Sequence, residues 1–177
     1  MNIDSEFYVT DNIYNSSLIY GECDSNDIYN IFQSLVKKYN IFSFLDIGSG
    51  CGKLVFHLAH KCNRITFHGV EIQKNRFMKS MKMLRYASVS NDSVSNVSFS
   101  CDDFKNIYFG NYDFIFCCNT IFSHEDNLLL YKKIINEFSG IFVLFTLSSK
   151  IQSYYVDKKY IKTSWHPNVP VYIYNNF

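Results

Sequence analysis

The chain has 177 residues, 47% of them apolar, 18% aromatic and 19% charged, with seven glycines and two prolines, which is the make-up of one globular domain. This excludes a disordered chain, a collagen-like repeat and a multidomain enzyme, and at this size roughly two thirds of the unfolded surface can be buried. No stretch approaches the ~20 uninterrupted apolar residues of a membrane span, and Met1-Asn2-Ile3-Asp4-Ser5-Glu6 lacks the basic and apolar regions of a signal peptide, so the expectation is a soluble, intracellular protein of cytoplasm or nucleus. The net charge is only +1, but the first 30 residues carry six acids and no lysine or arginine, leaving +7 on the other 147. That division reads as an acidic lip able to steer a cationic substrate, or as plain solvated charge. The six cysteines form no Cys-x-x-Cys pair and read as free thiols. The abundance of Asn, Ile, Lys, Tyr and Phe is that of an AT-rich genome, such as a large virus or a protist.

In chain order, Ile28, Ile31, Phe32, Leu35 and Val36 recur on one helical face between Ser25 and Tyr39, after residues able to cap it. Ile41 to Ile47 reads as a short buried strand ended by Gly48-Ser49-Gly50-Cys51-Gly52. A helix carrying Leu54, Val55, Leu58 and Ala59 follows. Thr66 to Val70 is a second strand, and residues 73 to 87 form a helix expected to bury Phe77, Met78, Met81 and Leu84 and to expose Arg76, Lys79, Lys82 and Arg85. Strands at Val97 to Cys101, Tyr112 to Cys118 and Ile141 to Leu147, with a helix from Glu125 to Phe138, continue the alternation. Alternating strands and helices imply a parallel sheet covered on both faces. Val169 to Tyr174 is strand-like, Ile151 to Lys162 is a connection or helix before it, and a closing antiparallel hairpin fits the sheet edge. No repeat or domain boundary interrupts the chain.

Ligands of an open α/β sheet sit beyond the carboxyl ends of the strands, which directs attention to Asp46–Lys53. Gly48-x-Gly50-x-Gly52 is neither the G-x-G-x-x-G of dinucleotide folds nor a G-x-x-x-x-G-K-[ST] phosphate loop, which disfavours nicotinamide, flavin and nucleoside triphosphate. Glu71, at the tip of the second strand, is suited to accept both hydroxyls of a ribose. Asp102-Asp103-Phe104, at the tip of the third, offers a carboxylate to an adenine amino group and an aromatic face to its ring. Three successive strand ends thus describe an adenosine ligand without a phosphate cradle.

On these residues the chain resembles the class I S-adenosylmethionine-dependent methyltransferases. Within them it is most similar to the disruptor-of-telomeric-silencing (Dot-one-like) histone-lysine methyltransferases. That likeness rests also on Tyr20-Gly21-Glu22, Asp103-Phe104, Cys118-Asn119-Thr120-Ile121-Phe122 and Ser164-Trp165 with Pro170-Val171, in family order over nearly the whole chain. The resemblance implies a Rossmann-like α/β fold: a mostly parallel seven-stranded sheet with helices on both faces and a C-terminal antiparallel hairpin. It implies one domain over 1–177, with a leading loop and helix (1–40), a cofactor-binding core (41–147) and an edge hairpin (148–177). S-adenosylmethionine would be held by Glu22, Asp46, Gly48 and Gly50 at its methionine end, by Glu71 at the ribose and by Asp103 and Phe104 at the adenine. Lys53, which stands where the family has Gln, belongs to the same cofactor set. Asn119 would face the transferring methyl group. One extra residue between Trp165 and Pro170 leaves Tyr172 and Tyr174 as alternatives for the active-site tyrosine, Tyr174 being grouped with Asn119, Phe122 and Trp165 as catalytic.

Methyl transfer from a sulfonium needs in-line approach and a neutral nucleophile. A channel lined by Phe122, Trp165 and tyrosines favours an uncharged lysine amine by desolvation. The partner expected is therefore a protein carrying an acceptor lysine, a histone or nucleosome among them. Nucleic-acid contact through Lys74, Arg76, Lys79, Lys82 and Arg85 is a further option, and no membrane partner is expected. RNA or small-molecule methylation and a noncatalytic cofactor-binding subunit are the alternatives. His124 reads as a base or as a helix start, and His57 and His60 lack a third metal ligand.

Overall fold

A computed structural model describes residues 21–89 and 94–177; Tyr20 and the acidic Asp4, Glu6 and Asp11 lie outside the described residues. Among the described residues four α-helices and seven strands follow the order α1 (Ser25–Lys38), β1 (Ser43–Ile47), α2 (Lys53–Lys61), β2 (Thr66–Val70), α3 (Lys74–Val89), β3 (Val97–Ser100), β4 (Phe114–Cys117), α4 (His124–Glu137), β5 (Ile141–Leu144), β6 (Tyr155–Ile161) and β7 (Val169–Asn175). The sheet order is β3-β2-β1-β4-β5-β7-β6. The first five strands pair in parallel, and β7 pairs antiparallel with β5 and β6. This is the Rossmann-like methyltransferase fold expected, with strand order reversing beside β1 and β4.

Period-two alternation divides the sheet into two cores. Phe44, Phe114, Phe116, Ile141 and Val143 face α1 and α2, whereas Leu45, Ile47, Ile115, Phe142 and Leu144 face α4. Asp24 caps α1 by accepting from Asn26 N (2.8 Å) and Asp27 N (3.2 Å), which satisfies two of the helix's orphan donors. Phe32 then inserts among Phe44, Phe67 and Phe114 at ring separations of 5.4, 5.9 and 5.1 Å. Fully burying a side chain of this size contributes about 2–3 kcal/mol.

Two local expectations are corrected. The helix after β2 does not bury Met78, which is 52% exposed, but presents Arg76 and Ser80 to the interior, with Leu84 and Ala87 continuing the row against the core. Ser80 packs close to Gly52, where an added Cβ would stand 3.1 Å from the Ser80 Cβ. The segment before β7 is a seven-residue strand, β6, preceded by a 3-10 turn over Ser149–Tyr154. Its apolar and polar residues do not alternate in the usual way because it lies at the edge and covers little core. Among the described residues no helix is long and apolar enough to cross a membrane.

Candidate cofactor and acceptor site

The carboxyl end of β1 runs directly into the glycine loop. Gly48, Gly50 and Gly52 have φ of +77°, +57° and +83°, the left-handed region that disfavours side chains. The loop folds over the neighbouring strand, Gly48 N and Ser49 N both donating to Val70 O (2.8 and 3.0 Å). Glu71 fastens it: its two carboxylate oxygens accept from Gly50 N (2.8 Å) and Gln73 N (2.7 Å), so one side chain fixes the loop and starts α3. Each oxygen keeps a second lone pair, and Glu71 still lines the adjoining cavity.

That cavity, of about 590 Å³, is the size of a small-molecule site. Gly48 and Glu71, Asp103 and Phe104, Phe122 after β4, and Trp165 in the turn after β6 all line it. Phe104 and Phe122 stack at 5.4 Å and 22°. Asp103 caps the turn at Phe104–Asn106 by accepting from Lys105 N (3.0 Å). Lys105, also on the rim, reaches across to Asp126 at the start of α4 (2.8 Å) and back to Asp103 (3.7 Å). Its ammonium and the Ser123 hydroxyl hold the Asp126 carboxyl below its ordinary range.

Asp46, Cys23, Glu22 and Lys53 support the cavity without lining it, through contacts with Cys118, Ser164 and the glycine loop. Asp46 is buried at 4% exposure; desolvation, with the nearby Cys118 and Glu71, pushes its pKa up to about 8. Cys23 donates its thiol proton to the sulfur of Cys118, lowering the Cys118 pKa and raising its own. Lys53, at the start of α2, pairs with Glu22 at 3.0 Å. The leading segment is held by the turn after β6: Asp24 N donates to Lys162 O (2.8 Å), Ser164 N to Glu22 O (2.8 Å), and Glu22 N to Ser164 Oγ (3.1 Å). A Cβ on Gly21 would stand 2.5 Å from the Trp165 ring. The Gly-Glu and Ser-Trp segments, 142 residues apart, are thus in direct contact.

Of the residues singled out from sequence, Gly48, Glu71, Asp103, Phe104, Phe122 and Trp165 line the cavity. Glu22, Asp46, Gly50 and Lys53 stand behind it. Asn119 and Tyr174 are turned away, which corrects the expectation that Asn119 faces the methyl group. Asn119 is fully buried: its amide donates to Asn127 Oδ1 (2.6 Å) and Thr146 Oγ1 and accepts from Phe145 N (3.0 Å). Tyr174 is equally buried, stacked flat on Phe142 at 4.7 Å, with its hydroxyl donating to Thr146 O (3.3 Å). The register of β7 against β5 sets Tyr174 opposite Phe142 and Tyr172 opposite Leu144, so both tyrosines lie on the α4 face of the sheet. His124 is the exposed first residue of α4. Among the described residues no cluster could hold a metal ion.

Sequence reasoning missed Arg76, which lies buried on the cavity wall; its position in the first turn after Glu71 was the available signal. Cys118 and Lys105 were missed as well.

Acidic and aromatic walls around an adenosine-sized space, with a glycine loop but no phosphate cradle, suit a cationic nucleoside such as S-adenosylmethionine. Fold and site together define a class I methyltransferase. The sequence pattern of the family described as methyltransferase domain matches residues 44–138, more than half of the chain, and the chain belongs to that family. It is an S-adenosylmethionine-dependent methyltransferase. No curated protein matches the sequence.

Solved structures share the fold at low identity. The RNA methyltransferase of Salinibacter ruber, in complex with S-adenosyl-L-homocysteine, is 15% identical, with a TM-score of 0.62 over 83% of this chain and 90% of that one. Magnesium protoporphyrin IX methyltransferase of Synechocystis PCC 6803, with S-adenosylmethionine bound, is 13% identical, with a TM-score of 0.67 over 86% and 79%. Coclaurine N-methyltransferase is 21% identical, with a TM-score of 0.52 over 68% and 35%.

Proposed function

We propose that the acceptor is the side-chain amine of a protein lysine, with histones and other chromatin proteins as the substrate class, in the manner of the Dot-one-like enzymes. A viral origin belongs to the same reading and rests on composition. Fold alone does not choose the acceptor, since neighbours on this fold are named for RNA, a porphyrin and an amine. The observation that carries the reading is the cavity's character: the aromatic rings of Phe122 and Trp165 share it with four carboxylates, of Glu71, Asp102, Asp103 and Asp126, against the cations Arg76 and Lys105. Excess negative charge draws in a cationic side chain, and the rings then strip water from it and lower its pKa toward the neutral nucleophile.

The bound cofactor supplies an electrophilic methyl group on a sulfonium. The chain's own residues bind and orient. Glu71 accepts ribose hydroxyls while it anchors the glycine loop, Asp103 and Phe104 take the adenine, and Asp46, ionised when the cationic ligand is bound, supplies a buried counter-charge behind the loop. Trp165 and Phe122 exclude water from the approach of the nucleophile. No covalent intermediate with the protein is needed, and positioning carries most of the rate enhancement.

The test is transfer of isotope-labelled methyl to separate pools of nucleosomes, free histones, total protein and RNA. The expected result is label in protein, recovered as methyl-lysine after acid hydrolysis. Trp165→Ala should cut transfer about tenfold or more with a smaller loss of cofactor affinity, and Glu71→Ala should weaken both. Label confined to RNA, or cofactor binding without transfer to any pool, overturns the lysine assignment.

A further inference from the structure

Among the described residues β6 closes the sheet with one side unpaired, and every residue from Tyr155 to Tyr160 except Asp157 is exposed. Its register against β7 sets Tyr155 opposite Tyr174, Lys158 opposite Tyr172 and Tyr160 opposite Pro170. Tyr155, Lys158 and Tyr160 therefore share one face with Tyr172, the bulge between Tyr155 and Asp157 bringing Tyr155 into line. The Lys158 ammonium lies over two rings, 4.8 Å from Tyr160 and 5.8 Å from Tyr172, and Tyr160 is 54% exposed. Asp157, the one carboxylate in β6 or β7, is on the other face and paired with Lys159 at 2.7 Å. The face thus combines exposed phenol rings with a lysine that makes no ion pair among the described residues.

We propose that this Tyr155–Lys158–Tyr160–Tyr172 platform binds a single-stranded nucleic acid, its bases stacked on the tyrosines and its phosphates drawn to Lys158. Tyr160 and Tyr172 flank the Lys158 ammonium, and Tyr155, four register positions along from Tyr160, lies about 14 Å away at ~3.4 Å per residue, a span that an extended single strand can cover, and ring faces accept any base. The charge is complementary, because Lys158 is a cation on this face while Asp157, the carboxylate of β6, is paired with Lys159 on the other. An acidic peptide would use the lysine but leave the rings without a role. Position adds to the argument: β6 ends at Ile161 and the chain reaches Trp165, on the wall of the cofactor cavity, four residues later. A strand lying on the platform is led to the mouth of the active site.

The experiment is fluorescence anisotropy with labelled 12-nucleotide oligouridylate and oligothymidylate and a 12-base-pair duplex, at low and moderate salt. The single strands should bind with dissociation constants on the order of 1–100 µM, weakening with salt. Tyr160→Ala and Lys158→Ala should each weaken binding about fivefold or more, and Tyr160→Phe should retain it because the ring and not the hydroxyl is used. Lys132→Ala, on the exposed side of α4, should leave binding unchanged, and thermal melting confirms that the variants fold. Tighter binding of oligouridylate identifies RNA as the ligand, tighter binding of oligothymidylate identifies DNA, and equal binding supports recognition of either. The proposal is overturned by duplex binding as tight as that of single strands, by binding insensitive to Tyr160→Ala, by equal binding of polyglutamate, or by no binding at low salt.

Discussion

Asp46 sits where desolvation opposes its charge, with a pKa of about 8, beside a cavity that receives a cationic cofactor. Ionised Asp46 favours a positive ligand and neutral Asp46 does not, so cofactor affinity should rise as pH increases from about 6 to 8 and level off above. Titration calorimetry across that range checks it, and Asp46→Asn should bind more weakly at pH 8 with a flat profile. The same shift bears on folding. The carboxyl's pKa is raised above its ordinary 3.8, so between about pH 4 and pH 8 the native state holds the extra proton and stability falls with rising pH. Asp46→Asn should flatten that slope in denaturant titrations. The glycines divide differently. A Gly48 side chain would meet nothing within 4 Å and project into open space, whereas one at Gly52 would strike the Phe99 ring at 2.5 Å. Gly48→Ala should cost about 1–2 kcal/mol of stability from its left-handed backbone and weaken cofactor binding. Gly52→Ala should cost about 2–5 kcal/mol by adding overpacking, and melting temperature with cofactor affinity separates the two.

At the scale of elements, Asn119 joins the end of β4 to α4 through Asn127 and to the end of β5 through Phe145 N. It fixes the turn from which Thr120, Ile121 and Phe122 reach the cavity. Asn119→Ala leaves a buried backbone donor unpaired, at about 1–3 kcal/mol, and should lower the melting temperature by about 3–10 °C with loss of transfer exceeding loss of cofactor affinity. Equal losses in both would refute this positioning role. The strand ends that carry Gly48, Glu71 and Asp103 were legible from sequence because apolar runs and glycine punctuation mark where buried parallel strands stop. The orientation of Asn119 was not, because it depends on which face the turn after β4 presents, and local residue types do not fix that. Nor was β6, whose tyrosines and lysines face solvent and so lack the pattern that burial imposes on a strand. The rotation of α3 that buries Arg76 and brings Ser80 close to Gly52 is a matter of tertiary packing, invisible to helical periodicity.

Across the whole molecule, the first described residues and the turn after β6 close on each other beside the cavity, through Asp24 N to Lys162 O, Ser164 N to Glu22 O and an isolated bridge between Cys23 and Thr163. These contacts span almost the full sequence, so their loop-closure cost is offset only after the sheet has formed. They also lie outside the strand ladders that are buried on both faces. The clasp is therefore expected among the first parts to open in the native state. It carries Glu22, which pairs with Lys53 beside the glycine loop, and Trp165 on the cavity wall, so a ligand in the cavity should hold it shut by binding the closed form preferentially. Amide hydrogen exchange tests this coupling. Asp24 and Ser164 should exchange faster than Phe44 and Phe142 in the central strands, and saturating S-adenosylmethionine should slow exchange at the first pair by about tenfold or more. Gly21→Val should raise exchange at both and blunt the response to cofactor by pushing Trp165 aside, while the central strands keep their protection. Exchange at Asp24 and Ser164 unaffected by cofactor would show that the clasp and the pocket open independently.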